Sequence, residues 1–485
     1  MFMKTEVLGT KMFLAGEWIS KEETIAVLNP QDDTLITNVP AASAEDMLFA
    51  IEQAKEGAQK AASMPVHQRI SILNKAANYI NKNSEKYAET IALEGSKTIN
   101  QARAEVKRCI QTLQISAEEA RRIQGETIPF DQREGSEDRL GYYYRFPIGI
   151  IAAITPFNDP LNLVAHKVGP AIASGNAIIV KPATVTPLSA LLLAEAFEAA
   201  GLPPKVLSVI TGHGGEIGDL LITHPAIRMV SFTGGLETGE KIAHKAGLKK
   251  ISMELGSNSP VIVLKDADFQ EAVEATVSGA FYAVGQNCLG VQRVYIEQDI
   301  YDEFCSEFVA RVSEYRVGDK MLETTDMGPL INEKEAIRVE KWVNEAVEKG
   351  ATLLIGGKRE GAFYSPTVLT DVPADCTIAQ QEIFGPVVLL YPVNDFSSAI
   401  EKSNAVDYGL QAGIFTRDIE KAFEAIEKMN VGGIMINDSS DYRIDGMPFG
   451  GVKGSGLGRE GVKFAIQEMT EPKVVSFKLN YKKSV

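Results

Sequence analysis

Cysteine is scarce. Four residues in 485, Cys109, Cys288, Cys305 and Cys376, stand far apart with no CxxC pair, and the five histidines do not cluster near them. That spacing supports neither a disulfide framework nor a zinc site, so each cysteine must be explained as a thiol and no metal is expected. Positive charge is short as well: 49 Lys and Arg against 64 Asp and Glu give a formal net charge of -15. A nucleic-acid or anionic-membrane surface needs a positive footprint. Neither partner is expected, although a local basic pocket remains compatible with this balance. Long apolar runs are missing too. Nothing approaches the roughly 18 to 20 residues of a membrane span, and Lys181 interrupts the longest apolar region. The start, MFMKTEVLGTKMFLAGEWI, lacks the charged-then-apolar order and small-residue cleavage site of a secretion signal. A cytoplasmic protein is the expectation.

What is present is an ordinary globular composition, 45% hydrophobic and 23% charged. The length exceeds what one core normally supports, which predicts two or more lobes. From Ser43 to about Lys60, Met47, Ala50, Ile51 and Ala54 recur at helical spacing, and Ser43 with Asp46 forms a capping box. Helical patterns continue to about Arg122, so the first lobe is expected to open with helices. Near residue 150 the texture changes to IIAAI, AIIVK, the helical PLSALLLAEAFEAAG, VLSVI, EIGDLLI, RMVSFT and LETGEKIAHKAG. Short aliphatic runs alternating with helices indicate βαβ units and a parallel sheet covered on both faces. A second series runs from ISMEL and PVIVL through VQRVYI, TLLI, VVLLY, AGIF and GIMI. Two series imply two lobes with a cleft between them. The strand-like GYYYRF and VVSFKLN are left over, and strands without partners predict pairing with another subunit.

Five stretches carry candidate chemistry. VSFTGG runs into a helix, so Gly234, Gly235 and Gly239 would let a phosphate approach a helix N-terminus, or would simply make a tight turn. Lys181 ends the strand AIIVK, where ligands sit in open α/β sheets, though a strand-end lysine is often merely solvated. Asn158 in ITPFNDP is either an Asx turn or an amide donor to an oxyanion. Glu254 in ISMELGSNSP closes an apolar strand; it is a surface carboxylate or a base with a raised pKa. Cys288 in AVGQNCLGVQRV stands among small residues rather than the bulky aliphatics that wrap a packing thiol. Thiol, carboxylate and amide together make a set for covalent catalysis.

The order PFN, KPATVTP, SFTGG, MELGSNSP, GQNC, EIFGP and PFGGVKGSGLGREG resembles the NAD(P)-dependent aldehyde dehydrogenase superfamily over nearly the whole chain. The resemblance implies an aldehyde dehydrogenase fold of class α/β. Its parts would be a Rossmann-like cofactor domain (1–124 and 146–255), an α/β catalytic domain (256–445) and oligomerisation strands (125–145 and 470–485), in a homodimer or homotetramer. It implies Cys288 as nucleophile, Glu254 as base for thioester hydrolysis and Asn158 as oxyanion donor. Relatives that release an acyl-CoA generally lack this glutamate, so free acid is the expected product. NAD or NADP would be held by Thr155, Pro156 and Phe157; by Lys181, Pro182, Ala183 and Thr184; by Phe232, Thr233, Gly234, Gly235 and Gly239; and by Leu255, Glu382 and Phe384. Thr184 replaces a carboxylate that often selects NAD, which predicts dual or NADP-preferring use. Ser257 stands where many relatives have glycine.

By the same resemblance Arg108 of EVKRCI and Arg443 of NDSSDYRIDGMPFGG match a pattern of phosphonoacetaldehyde and lactaldehyde dehydrogenases and would clamp an anion. Phosphonate enzymes add an arginine and a histidine where this chain has Asn287 and Asp159. A singly charged sulfonate with a neighbouring hydroxyl suits the present set better. The expected substrate is 3-sulfolactaldehyde, with lactaldehyde, succinate semialdehyde and phosphonoacetaldehyde as alternatives. A non-redox thiol esterase or a silent scaffold is the rival class, told apart by whether any short aldehyde yields reduced nicotinamide.

Overall fold

The computed structural model describes residues 10–480; positions 1–9 of the expected cofactor domain and 481–485 of the expected C-terminal strand lie outside the described residues. Strands come first, not the expected helices. Met12–Leu14 folds back on Glu17–Ile19 through Ala15 and Gly16, and Thr24–Leu28 pairs with Leu35–Pro40. Strands this short show no period, so both hairpins escape a search for periodicity. The helix Ala44–Ser63 then starts on its capping box, with Asp46 N–H donating to Ser43 Oγ at 3.3 Å and Ser43 N–H to Asp46 Oδ2 at 2.8 Å.

The first sheet runs, in spatial order, Glu17–Ile19, Met12–Leu14, Leu207–Val209, Ala177–Lys181, Ile150–Ile154, Ile227–Thr233, Lys250–Glu254 and Gly456–Leu457. Its five central strands are parallel. Counted along the chain from Ile150–Ile154, they lie in the order 3-2-1-4-5 of a dinucleotide-binding sheet. The order reverses between Ile150–Ile154 and Ile227–Thr233, so a crevice opens beyond Ile154 and Thr233. ISMEL, which the sequence groups with the second series, is the fifth of these strands: Thr233 pairs with Glu254. A run of apolar residues marks a buried strand but does not say which sheet it joins.

The second sheet runs Thr352–Ile355, Thr367–Thr370, Val387–Val393, Val291–Glu297, Ser259–Val263, Gln411–Phe415 and Gly433–Ile436. All neighbours are parallel except the first pair. Beyond it the chain returns to the first lobe, where Gly456–Leu457 adds antiparallel to Lys250–Glu254. The two leftover strands are not left over. Arg139–Pro147 and Thr470–Lys478 pair with each other, antiparallel and in continuous register, and Thr127–Ile128 extends the ribbon. The expectation that they lack partners within the chain is therefore corrected; alternation identifies a strand and says nothing of a partner so distant in sequence. No helix among the described residues is long and apolar enough to cross a membrane.

Two buried carboxylates tie the N-terminal helices to this frame. Helices Asn162–Ala173 and Leu188–Ala199 have no side-chain cap of their own. Their free N–H groups are met from outside: Glu94 accepts from Leu188 N at 2.7 Å and Ser189 N at 2.8 Å, and Glu105 from Leu161 N at 2.8 Å and Asn162 N at 3.0 Å. An anion is at its most favourable at such a helix start. Glu105 also pairs with buried Lys97 at 2.8 Å. Glu105→Ala strands two amide donors and removes one of the two carboxylates that hold that ammonium, so it should cost about 3 to 5 kcal/mol in urea unfolding. A loss near zero would show that the cap carries no weight.

Candidate active site

Cys288 lies between the turn Tyr282–Gly285 and the buried strand Val291–Glu297. Three successive residues of that turn, Ala283, Val284 and Gly285, have φ of 50°, 62° and 67°. For a β-branched valine this is a strained conformation, of the order of 1 to 3 kcal/mol, that persists only where its surroundings impose it. At Gly285 the reason is space: a Cβ there would stand 2.2 Å from Gly385 O. The turn before Cys288 is thus pressed against the segment that carries Glu382 and Phe384. Asn287 tightens the other side, its Oδ1 accepting from Leu289 N at 3.1 Å and its carbonyl from Gly290 N at 2.9 Å.

Two cavities meet at the thiol. The larger, about 760 Å³, is the crevice at the strand ends, walled by Thr155, Pro156 and Phe157, by Ala183, by Phe232, Thr233, Gly234 and Gly235, and by Leu255, Glu382 and Phe384. The smaller, about 140 Å³, is lined by Lys97, Arg108, Asp159, Tyr282, Gln286, Asn287, Asp441 and Arg443. Cys288, Asn158 and Leu163 belong to both. Phe157 and Phe384 meet edge to face across the crevice, with ring centres 5.7 Å apart.

Four of the expected cofactor residues do not line the crevice. Lys181 is buried, which pushes its pKa down to about 8, and its ammonium donates to Pro182 O at 3.0 Å. Thr184 Oγ1 donates to Gly212 O at 3.3 Å. Gly239 lies within helix Leu236–Ala246, where a Cβ would meet the Leu255 side chain at 2.5 Å, so its smallness serves helix packing. The wall itself fits a dinucleotide. Among the described residues, Gly235 caps Leu236–Ala246 without a side-chain bond, a Cβ on it would meet nothing within 4 Å, and the buried hydroxyls of Thr155 and Thr233 have no hydrogen-bond partner. An open, uncapped helix start flanked by unused hydroxyls suits a pyrophosphate. Ser257 also acquires a structural account: its N–H donates to Glu382 Oε1 at 2.8 Å while its hydroxyl turns to Ser259. Burial pushes the Glu382 carboxyl up to about 7.

Glu254 ends the strand Lys250–Glu254 with both carboxyl oxygens buried and without hydrogen-bond partners among the described residues. Burial, reinforced by nearby Glu460, pushes its pKa well above the usual carboxylate range. Glu460 goes the other way, because Lys167 at 2.7 Å, together with His166 and Arg443, outweighs its burial. Burial likewise pushes the Cys288 thiol up to about 12, and Arg443 is the cation that opposes it. The Asn158 side-chain amide makes no hydrogen bond among the described residues, which leaves it available to a ligand.

The two arginines of the small cavity prove unequal. Arg108 forks onto Asp445, at 2.9 and 3.3 Å, and reaches Asp159 at 3.3 Å; Lys97 also pairs with Asp159. Arg443 lies over the Phe449 ring at 3.7 Å; its buried Nε and Nη2 make no hydrogen bond among the described residues, and Nη2 stands 3.9 Å from Glu460. Sequence reasoning did not single out Lys97, Tyr282, Asp441, Lys167 or Glu460. Only Glu460 left a signal, inside the motif GLGREG.

Residues 18–475 match the aldehyde dehydrogenase family. The chain belongs to that family. It is 50% identical to aspartate-semialdehyde dehydrogenase 1 of Pseudomonas canavaninivorans, over 94% of this chain and 96% of that one. It is 46% identical to the 3-sulfolactaldehyde dehydrogenase of Priestia aryabhattai, over 98% and 99%. Among solved structures, aldehyde dehydrogenase 21 from Physcomitrella patens in complex with its product succinate superposes with a TM-score of 0.95 at 40% identity, covering 98% and 99%. The glyceraldehyde-3-phosphate dehydrogenase of Methanocaldococcus jannaschii complexed with NADP gives 0.91 at 41%, covering 95% and 100%. The sheets and crevice above are those of an aldehyde dehydrogenase, and the protein is an oxidoreductase.

With its thiol pushed up to about 12, the cofactor-free enzyme should be alkylated at Cys288 by iodoacetamide at a rate that rises about tenfold per pH unit between pH 7 and 9, since only the thiolate attacks. Arg443→Met removes the opposing charge, raises the thiol pKa further and should slow the reaction throughout. A plateau below pH 8 would contradict this picture.

Proposed function

We propose that the chain uses NAD or NADP to oxidise a short aldehyde with one anionic or hydroxylated end to the free carboxylate, with 3-sulfolactaldehyde to 3-sulfolactate as the leading reaction. The observation that carries the reading is Cys288 at the meeting point of two cavities, one fitted to a dinucleotide and one small and charged. A cavity of about 140 Å³ is close to one that holds a benzene molecule. That favours short chains over long ones.

In this reading Glu254 or water relieves Cys288 of its proton, and the thiolate bonds to the aldehyde carbon. The oxyanion formed is held by the free amide of Asn158 and the backbone N–H of Cys288. A nicotinamide, when bound, accepts the hydride. The resulting thioester is cleaved by water from which Glu254 takes a proton; a raised pKa suits a carboxylate to that task. Glu254→Gln should therefore release one equivalent of reduced nicotinamide per active site and then stall. Steady turnover at the wild-type rate would remove Glu254 from hydrolysis.

The charge balance of the small cavity supports a single negative charge on the substrate. Lys97 and Arg108 are already taken up by Glu105, Asp159 and Asp445, which leaves Arg443 as the lining cation with donors free for one anion. A doubly charged phosphonate finds less support there than a sulfonate or carboxylate, and the 46% identical sulfolactaldehyde dehydrogenase and the succinate-bound structure point the same way. Lactaldehyde, succinate semialdehyde and phosphonoacetaldehyde remain the alternatives. Because Arg443 has unused donors, Arg443→Ala should raise KM for 3-sulfolactaldehyde about ten- to a hundredfold, the loss of roughly 1.5 to 3 kcal/mol expected for a hydrogen bond to a charged group. An unchanged KM would sink the anion site. With Thr184 in place of a carboxylate, NADP should support turnover at least as well as NAD; a large NAD preference would overturn that expectation. The ribbon Arg139–Pro147 with Thr470–Lys478 leaves Leu140, Tyr144, Val474 and Phe477 exposed, which supports a homodimer or homotetramer.

A further inference from the structure

Asp441 is a carboxylate without a cation. It lines the small cavity beside Asn287 and Arg443. Ser439 donates its hydroxyl to Oδ1, and no Lys, Arg or His forms an ion pair with Asp441 among the described residues. Burial pushes its carboxyl up, the mark of an anion held away from water without full compensation. Two residues further along the same loop, Arg443 has the complementary deficit, two buried N–H-bearing nitrogens without acceptors. The two opposite charges do not satisfy one another, although both line one cavity. The other acids nearby are different: Asp159 is held by Lys97 and Arg108, and Asp445 by Arg108 and His166. A substrate that carried only an anion would answer Arg443 and leave Asp441 facing a second negative group.

We infer that Asp441 is a specificity-determining residue that accepts a hydrogen bond from a donor group, a hydroxyl or an ammonium, carried by the substrate between its aldehyde and its anionic end. This rests on the reading of the small cavity as the seat of the aldehyde chain. The cavity then recognises a pair of groups, the acid on the arginine and the donor on the aspartate. A donor-less aldehyde of the same length is a poorer substrate because it leaves the carboxylate unmet, and a site built to bond a polar group rejects the analogue that lacks it.

The test uses matched substrates, so that the anion is constant within each pair. Succinate semialdehyde is compared with aspartate 4-semialdehyde, which adds an ammonium, and propionaldehyde with lactaldehyde, which adds a hydroxyl. The quantity read is the quotient of kcat/KM, donor-bearing over donor-less. In the wild type at least one quotient exceeds ten. Asp441→Ala lowers it about ten- to a hundredfold. Asp441→Asn, nearly isosteric and so the safeguard against misfolding, separates the sources: it lowers the ammonium quotient and largely preserves the hydroxyl one. Wild-type quotients near one, or quotients that stay the same in both variants, would overturn the inference. Failure of the anion reading looks different, because Arg443→Ala would then leave kcat/KM for succinate semialdehyde unchanged whatever the Asp441 quotients do.

Discussion

The carboxylate of Glu105 is the contact on which the reacting end of the molecule depends. One oxygen closes the start of helix Asn162–Ala173 and the other holds Lys97. Lys97 in turn holds Asp159, the neighbour of Asn158. A single buried charge therefore fixes both the helix that follows the first parallel strand and the loop that presents the free amide. Such a group is costly to bury alone and stable only when all its partners are present. The arrangement transmits position: the amide stays free of internal hydrogen bonds because its neighbour, not the amide itself, is anchored.

The thiol follows the opposite principle. Burial disfavours its charged form, and so does each nearby carboxylate, Glu382, Glu254 and Glu460. At rest it is a protonated sulfur, less open to oxidation than a thiolate would be. The same desolvation gives Glu254 its high proton affinity. Both groups thus hold their protons tightly, and Arg443, lying over Phe449, is the cation that opposes this at the thiol.

Much of this could be read from the chain. IIAAI and AIIVK announced the parallel sheet because a strand buried on both faces is apolar at every position. Cys288, Glu254 and Asn158 were visible through the short motifs around them. What stayed hidden depended on distant partners. ISMEL read as a strand but not as a member of the first sheet, and GYYYRF gave no hint that residues 470–478 pair with it. Lys97 and Asp441 were not singled out, because burial of a charged side chain is decided by the groups that surround it in space. Arg108 and Arg443 looked alike in sequence, and only the carboxylates around Arg108 distinguish them.

The return of the chain after the second lobe has a consequence for biosynthesis. Gly456–Leu457 completes the edge of the first sheet, and Glu460, which follows at once, joins Lys167 beneath Glu254. A ribosome delivers these residues long after the other strands of the first sheet have emerged, and domains otherwise tend to fold as they appear. A polypeptide terminated between Cys288 and Arg443 would carry the thiol without the cation that favours its ionised form. Nucleophilic reactivity at this thiol would in this way be withheld from incomplete products and reserved for finished ones.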